Sequence, residues 1–140
     1  MSDAAKVIGL IDHVAIAVRD ADAAIATYTG RLGYVVVGDE PVDAAGVRLV
    51  YLAHADAEPG QTVLQLVQPT AAGPVGDFLK NHGEGLHHVC FATTDISRAL
   101  SAAGDSDTSG VFVGGRGLPC AFLSDQPHGA RIEFTQLPRS

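Results

Sequence analysis

Branched apolar residues alternate with small or polar ones along residues 11–18 (IDHVAIAV), a run that predicts a strand. Asp20 or Asp22 then offers a helix cap. Ala24, Ile25, Tyr28 and Leu32 recur at helical spacing, and Gly33 supplies the stop. YVVVG (34–38) predicts a second strand and DEPVDAAG (39–46) a loop. VRLVYLA (47–53) and TVLQLVQ (62–68) predict two more strands joined by the turn-rich HADAEPGQ. A connector over 69–85 carries Pro69, Gly73, Pro74 and a short helix near Val75–Asn81. The pattern then restarts with a strand at LHHVCFAT (86–93) and a helix capped by Asp95, running through Ile96, Ala99 and Leu100. Strands follow at VFVGG (111–115), PCAFLS (119–124) and ARIEFTQ (130–136).

Both halves therefore read β-α-β-β-β, and IDHVAIAVRDADAAI overlays LHHVCFATTDISRAL without a gap, His13 falling on His88. The expected fold class is α+β within a single domain, residues 1–140. A first βαβββ module spans 10–68, the connector 69–85 and a second module 86–136. The two modules are expected to form one curved, cup-like mixed sheet with helices outside.

Strand alternation sorts the polar residues. Asp12, Val14, Ile16 and Val18 share the face expected to meet the helix, and His13, Ala15 and Ala17 share the other. In the second half Val89 and Phe91 oppose His88, Cys90 and Ala92. Gln65 and Glu133 each lie opposite the most apolar face of the last strand of their half. With both halves curved alike, His13, Gln65, His88 and Glu133 point to a common hollow. Two imidazoles, an amide and a carboxylate make a donor set for a divalent metal ion. Any one of these residues alone reads as an ordinary strand residue; the recurrence in equivalent positions carries the reading. His87 falls on the packing side, and His54, His82 and His128 fall in expected loops. GGRGLP (114–119) leads into a strand and reads as a turn, not as a phosphate-binding loop.

Composition narrows the partners. The 140 residues carry 9 Lys+Arg against 16 Asp+Glu, a net charge of −7, which argues against nucleic acid. No apolar stretch approaches a membrane span, and the N-terminus lacks the pattern of a signal peptide. Cys90 and Cys120 lie in apolar runs without a CxxC spacing, as in a reducing cytoplasm. Arg48, Lys80, Arg98 and Arg116 are the cations available for an anionic ligand.

With these residues in hand, the paired modules resemble the vicinal oxygen chelate (glyoxalase/bleomycin resistance) superfamily. Within it the sequence is most similar to the methylmalonyl-CoA epimerases. The matching stretches are IDHVAIAVRD, GVRLVYL, TVLQLVQP, PVGDFLKNHGEGLHHVCF and GARIEF. The resemblance implies a divalent ion (cobalt, manganese, magnesium, nickel or zinc) held by His13, Gln65, His88 and Glu133. Two coordination positions then remain for a substrate with neighbouring oxygens. It implies a Lewis-acid-stabilised enolate, formed when a base takes an α-proton and an acid returns it on the other face. Glu133 resembles one of the family's two bases. A second carboxylate is expected near the start of the GV strand. Ala44, two residues before Gly46, cannot move protons, which leaves Asp43 and Glu40. The region between the last helix and PCAFL, which holds the polar segment 104–110, is shorter than usual and is expected to shape the rim. The expected partners are a small-molecule substrate and a second copy of the chain, as a homodimer. Two other readings stay open: a metal-dependent isomerase acting on another small oxygenated metabolite, and a non-catalytic binding protein.

Overall fold

The computed structural model describes residues 2–105, 107 and 109–138; Ser106 and Thr108, within the polar segment expected to shape a rim, lie outside them. The chain forms two compact units. The first is His13–His87, and the second combines Met1–Asp12 with His88–Ser140.

In the first unit, strands β1 (Ile8–Ala17, from His13 onward), β2 (Val35–Val42), β3 (Val47–Ala53) and β4 (Val63–Pro69) lie in the order β2-β3-β4-β1. β1 runs parallel to β4, and the other pairs are antiparallel. Helix α2 (Ala21–Leu32) packs on one face, where Val18, Ala21, Val50, Leu52 and Leu66 are buried with Ile25 and Tyr28 against them. Its start is fixed twice. Asp20 accepts a hydrogen bond from the Ala23 N–H, and the Gln68 side chain accepts one from the Ala21 N–H at 2.7 Å. Both satisfy N–H groups that a helix cannot satisfy internally. Gly33, at φ 71°, ends the helix in the left-handed conformation that glycine adopts without strain. α3 (Pro74–His82) begins with proline in its first turn, where no N–H is lost. His82, expected in a loop, closes this helix.

The expected loop at 39–46 is a correction. Asp39–Val42 continue β2, paired with Val50–Val47, and only Asp43–Ala45 form a turn, of 3₁₀ type. DEP reads as a turn from composition, but β2 stands at the end of the strand order. There a proline costs no ladder bond.

The second unit repeats the plan. β5 (Gly85–Thr93, from His88 onward) runs parallel to β8 (Ile132–Gln136). β7 (Pro119–Phe122) is antiparallel to β8, and the two-residue β6 (Phe112–Val113) pairs with β7. The expected strand at 111–115 is shortened because Gly114 leaves it and a 3₁₀ turn at Gly115–Gly117 follows. Helix α4 (Ile96–Ala102) buries Ile96, Ala99 and Leu100 against Ala121 and Phe134. Asp95 caps it, and Gln136 accepts from the Ile96 N–H at 3.0 Å, as Gln68 does for α2. A short helix not expected from sequence, α1 (Asp3–Val7), is capped by Ser2. It precedes a bond from the Thr93 hydroxyl to the Val7 carbonyl at 2.6 Å. Among the described residues no helix is long and apolar enough to cross a membrane.

Phe134 is 1% exposed at the centre of the α4 cluster. Phe134→Ala is expected to lower stability by about 3–5 kcal/mol. Urea unfolding checks this as a fall in midpoint with an unchanged slope.

Candidate metal centre

In each unit the face away from its packing helix carries the polar residues. In the first unit the register sets Gly38, Tyr51, Gln65 and Ala15 in one row across the four strands. The next row is Glu40, Leu49, Val67 and Ala17. His13 lies on this face one pleat before Ala15. His13 and Gln65 are 3% and 4% exposed. The Gln65 side-chain amide donates from Nε2 to the Tyr51 hydroxyl oxygen at 3.1 Å. The His13 and Tyr51 rings meet edge to face, with centroids 6.2 Å apart.

In the second unit the corresponding face carries His88 and Cys90 on β5, Glu133 and Thr135 on β8, and Cys120 and Phe122 on β7. His88 Nε2 lies 3.1 Å from Glu133 Oε1, and both side chains are buried. The Phe122 ring meets His88 edge to face at 5.3 Å. Glu133 pairs with Cys90, two residues on from His88, as Gln65 pairs with Ala15, two residues on from His13. Each unit thus presents one imidazole and one side-chain oxygen donor from adjacent parallel strands. Imidazole nitrogen with carboxylate or amide oxygen suits a divalent ion of borderline or hard character.

The carboxylates proposed to move protons part company. Glu40 is half-buried on the face that carries Gln65 and His13, directly opposite Leu49. Strand spacing puts its Cα roughly 12 Å from that of Gln65, two strands over and one pleat along. Asp43 sits beyond the end of β2 in the exposed 3₁₀ turn, next to exposed Ala44.

Two of the four cations considered are engaged by carboxylates. On the helix side of the first unit Arg48 grips both carboxylate oxygens of Asp39, at 3.0 and 2.8 Å, and reaches Asp22 at 2.9 Å. The hydrogen bonds from Arg48 hold the Asp39 carboxyl below its usual range. Arg116, at φ 61°, bonds Asp12 at 2.6 Å. His87 packs edge to face on Phe78 at 4.8 Å, in keeping with its expected structural role.

Tyr51 and Phe122 escaped the sequence reading. Each sits in an apolar run, and only cross-strand register shows that they oppose Gln65 and Glu133.

Residues 12–122 match the model of the glyoxalase/bleomycin resistance protein/dioxygenase superfamily. The chain belongs to that superfamily. An ethylmalonyl-CoA/methylmalonyl-CoA epimerase of Cereibacter sphaeroides is 33% identical, over 93% of this chain and 99% of that protein. The mitochondrial methylmalonyl-CoA epimerase of Homo sapiens is 32% identical, over 92% of this chain and 74% of that protein. The fold matches the glyoxalase-like structure of Streptomyces coelicolor methylmalonyl-CoA epimerase, a glutamate-to-glutamine variant in complex with 2-nitronate-propionyl-CoA. The TM-score is 0.82 at 30% identity, covering 94% of this chain and 99% of that one. The expected resemblance and fold class are thus borne out.

The face that carries His88 and Glu133 also houses both thiols. Burial, and next the Glu133 carboxylate, push the Cys90 thiol far above its ordinary range and Cys120 up to about 11. A raised pKa keeps a thiol protonated and unreactive. At pH 8 the folded protein is expected to leave an aromatic disulfide reagent unreduced, with two thiols per chain titrating only after denaturation.

Proposed function

We propose that this chain is a divalent-metal-dependent epimerase that moves the α-proton of a methylmalonyl-CoA-type acyl thioester. One observation carries the reading: His13 with Gln65, and His88 with Glu133, occupy the same register positions in the two units. Kinship with the epimerases supports the substrate class.

His13, Gln65, His88 and Glu133 are the proposed ligands of one ion. When bound, a divalent ion there supplies positive charge that stabilises an enolate. The chain's own groups do the remaining work. Glu40 holds or releases a proton on the first unit's side, and Glu133 does so on the second unit's side. Buried Leu49 lies directly opposite Glu40, and buried Val67 continues the same row one strand further on, so Glu40 borders an apolar surface. Of the two carboxylates considered, Glu40 is favoured over Asp43 because only Glu40 lies on the strand face that carries the proposed ligands.

β2 exposes Val35, Val36 and Val37. Apolar edges of this kind need cover, and a homodimer in the cytoplasm is the proposed working form. A second reading, an isomerase acting on a small oxygenated metabolite without CoA, is favoured by one fact. Arg48 and Arg116 are bound to Asp39, Asp22 and Asp12, which leaves two of the four cations considered, Lys80 and Arg98, for a CoA phosphate.

Metal-loaded protein is expected to exchange the α-proton of methylmalonyl-CoA for deuterium in heavy water, followed by NMR. No exchange above background removes the epimerase reading and leaves the second one. Glu40→Gln is expected to lower the rate by about 10²–10⁴-fold with metal content unchanged, whereas Asp43→Asn leaves it near the parent. His13→Ala and Glu133→Ala are expected to lose bound metal by elemental analysis.

A further inference from the structure

The two proposed half-sites share an imidazole and an aromatic ring and differ in two side chains, an amide against a carboxylate and a phenol against a phenyl ring. In the second unit the residue opposite Glu133 is Phe122, whose ring meets His88 edge to face. In the first unit the residue opposite Gln65 is Tyr51, whose ring meets His13 in the same way. The aromatic ring is common to both. The hydroxyl occurs only beside the amide, and it is hydrogen-bonded to that amide's nitrogen.

The chemistry of the two side chains explains why. A carboxylate offers two equivalent oxygens, so either orientation presents a donor to a cation. An amide offers one oxygen and one NH₂ group, whose hydrogens repel a cation and whose nitrogen lone pair is delocalised. A half-turn about the last side-chain bond therefore converts a ligand into an obstruction. Gln65 is 4% exposed, so water offers little help in choosing between the two orientations.

We infer that Tyr51 is a positioning residue: its hydroxyl holds the Gln65 Nε2 and thereby turns Oε1 toward the ion. The inference rests on the ligand role proposed for Gln65 and adds a residue that neither the sequence pattern nor the family likeness assigns. Two further features hold the phenol in place. Tyr51 is itself buried, at 5% exposure. Gly38 opposes it, and a Cβ there would stand 3.1 Å from the Tyr51 ring, so the absence of a side chain leaves room for the ring edge.

The test is a cobalt(II) titration read from the ion's visible absorption, with the thermal midpoint of each variant measured alongside. Tyr51→Phe keeps the ring and its contact with His13 and removes only the hydroxyl. It is expected to weaken cobalt binding by about tenfold, the low end of what outer-shell partners contribute, with no comparable loss of thermal stability. In a Gln65→Glu background the same change is expected to cost nothing, because a carboxylate needs no orienting. Should Tyr51→Phe bind cobalt as tightly as the parent while Gln65→Ala binds it more weakly, the positioning role is overturned and the ligand role stands. An equal loss from Tyr51→Phe in the Gln65→Glu background also overturns it, since the hydroxyl then acts by another route. If Gln65→Ala binds cobalt as the parent does, the ligand role of Gln65 fails first, and the inference with it.

Discussion

The constraint on which everything else depends is strand register. A strand has a side-chain period of two, so a slip of one residue would carry Gln65 to the helix side and Leu64 or Leu66 to the site side. Both faces of the first unit are specified by apolar packing, which leaves no alternative register at low cost. Leu52, Leu66 and Val50 fill the space under α2, and Ala15, Val47, Leu49 and Val67 pack on the other face. The polar residues of the proposed centre stand on a sheet whose position is fixed by its neighbours, not by the residues themselves.

The helices are tied to that register by side chains. Gln68 stands next to the end of its strand and Gln136 at the end of its own, and each accepts a hydrogen bond from the first N–H of the helix in its unit. Three residues earlier on the same strands stand Gln65 and Glu133. An odd spacing along a strand sends the two side chains to opposite faces. One strand therefore fixes the helix start with one glutamine and presents a ligand-type oxygen with the residue three positions before it. The capping aspartates, Asp20 and Asp95, complete the same arrangement in both units.

That repetition is why much of the plan could be read from sequence. The overlay of His13 on His88, the helix caps and the alternation in TVLQLVQ and ARIEFTQ all survive as local patterns. What could not be read depends on pairing. The extension of β2 was hidden because Asp39, Glu40 and Pro41 have turn-like composition, and only the partner strand β3 shows that they are extended. That extension decides which carboxylate faces the proposed ligands, because it gives Glu40 a place on the strand face and leaves Asp43 in the turn beyond. Tyr51 was hidden for a similar reason. In VRLVYLA it is one apolar position among several until register sets it opposite Gln65.

The difference between the units has an electrostatic consequence. On the proposed reading the first unit contributes two neutral donors, His13 and Gln65, and the second contributes His88 and one carboxylate. Four protein ligands then carry a single negative charge, so a divalent ion keeps a net positive charge toward a chelating anion. Replacing the amide with a second carboxylate would cancel that charge and weaken the attraction for an anionic malonyl-type group. An amide keeps the charge but must be aimed, whereas a carboxylate needs no aiming and gives the charge up. On that reading the tyrosine opposite the amide answers the need for aiming, and the phenylalanine opposite the carboxylate has none to answer.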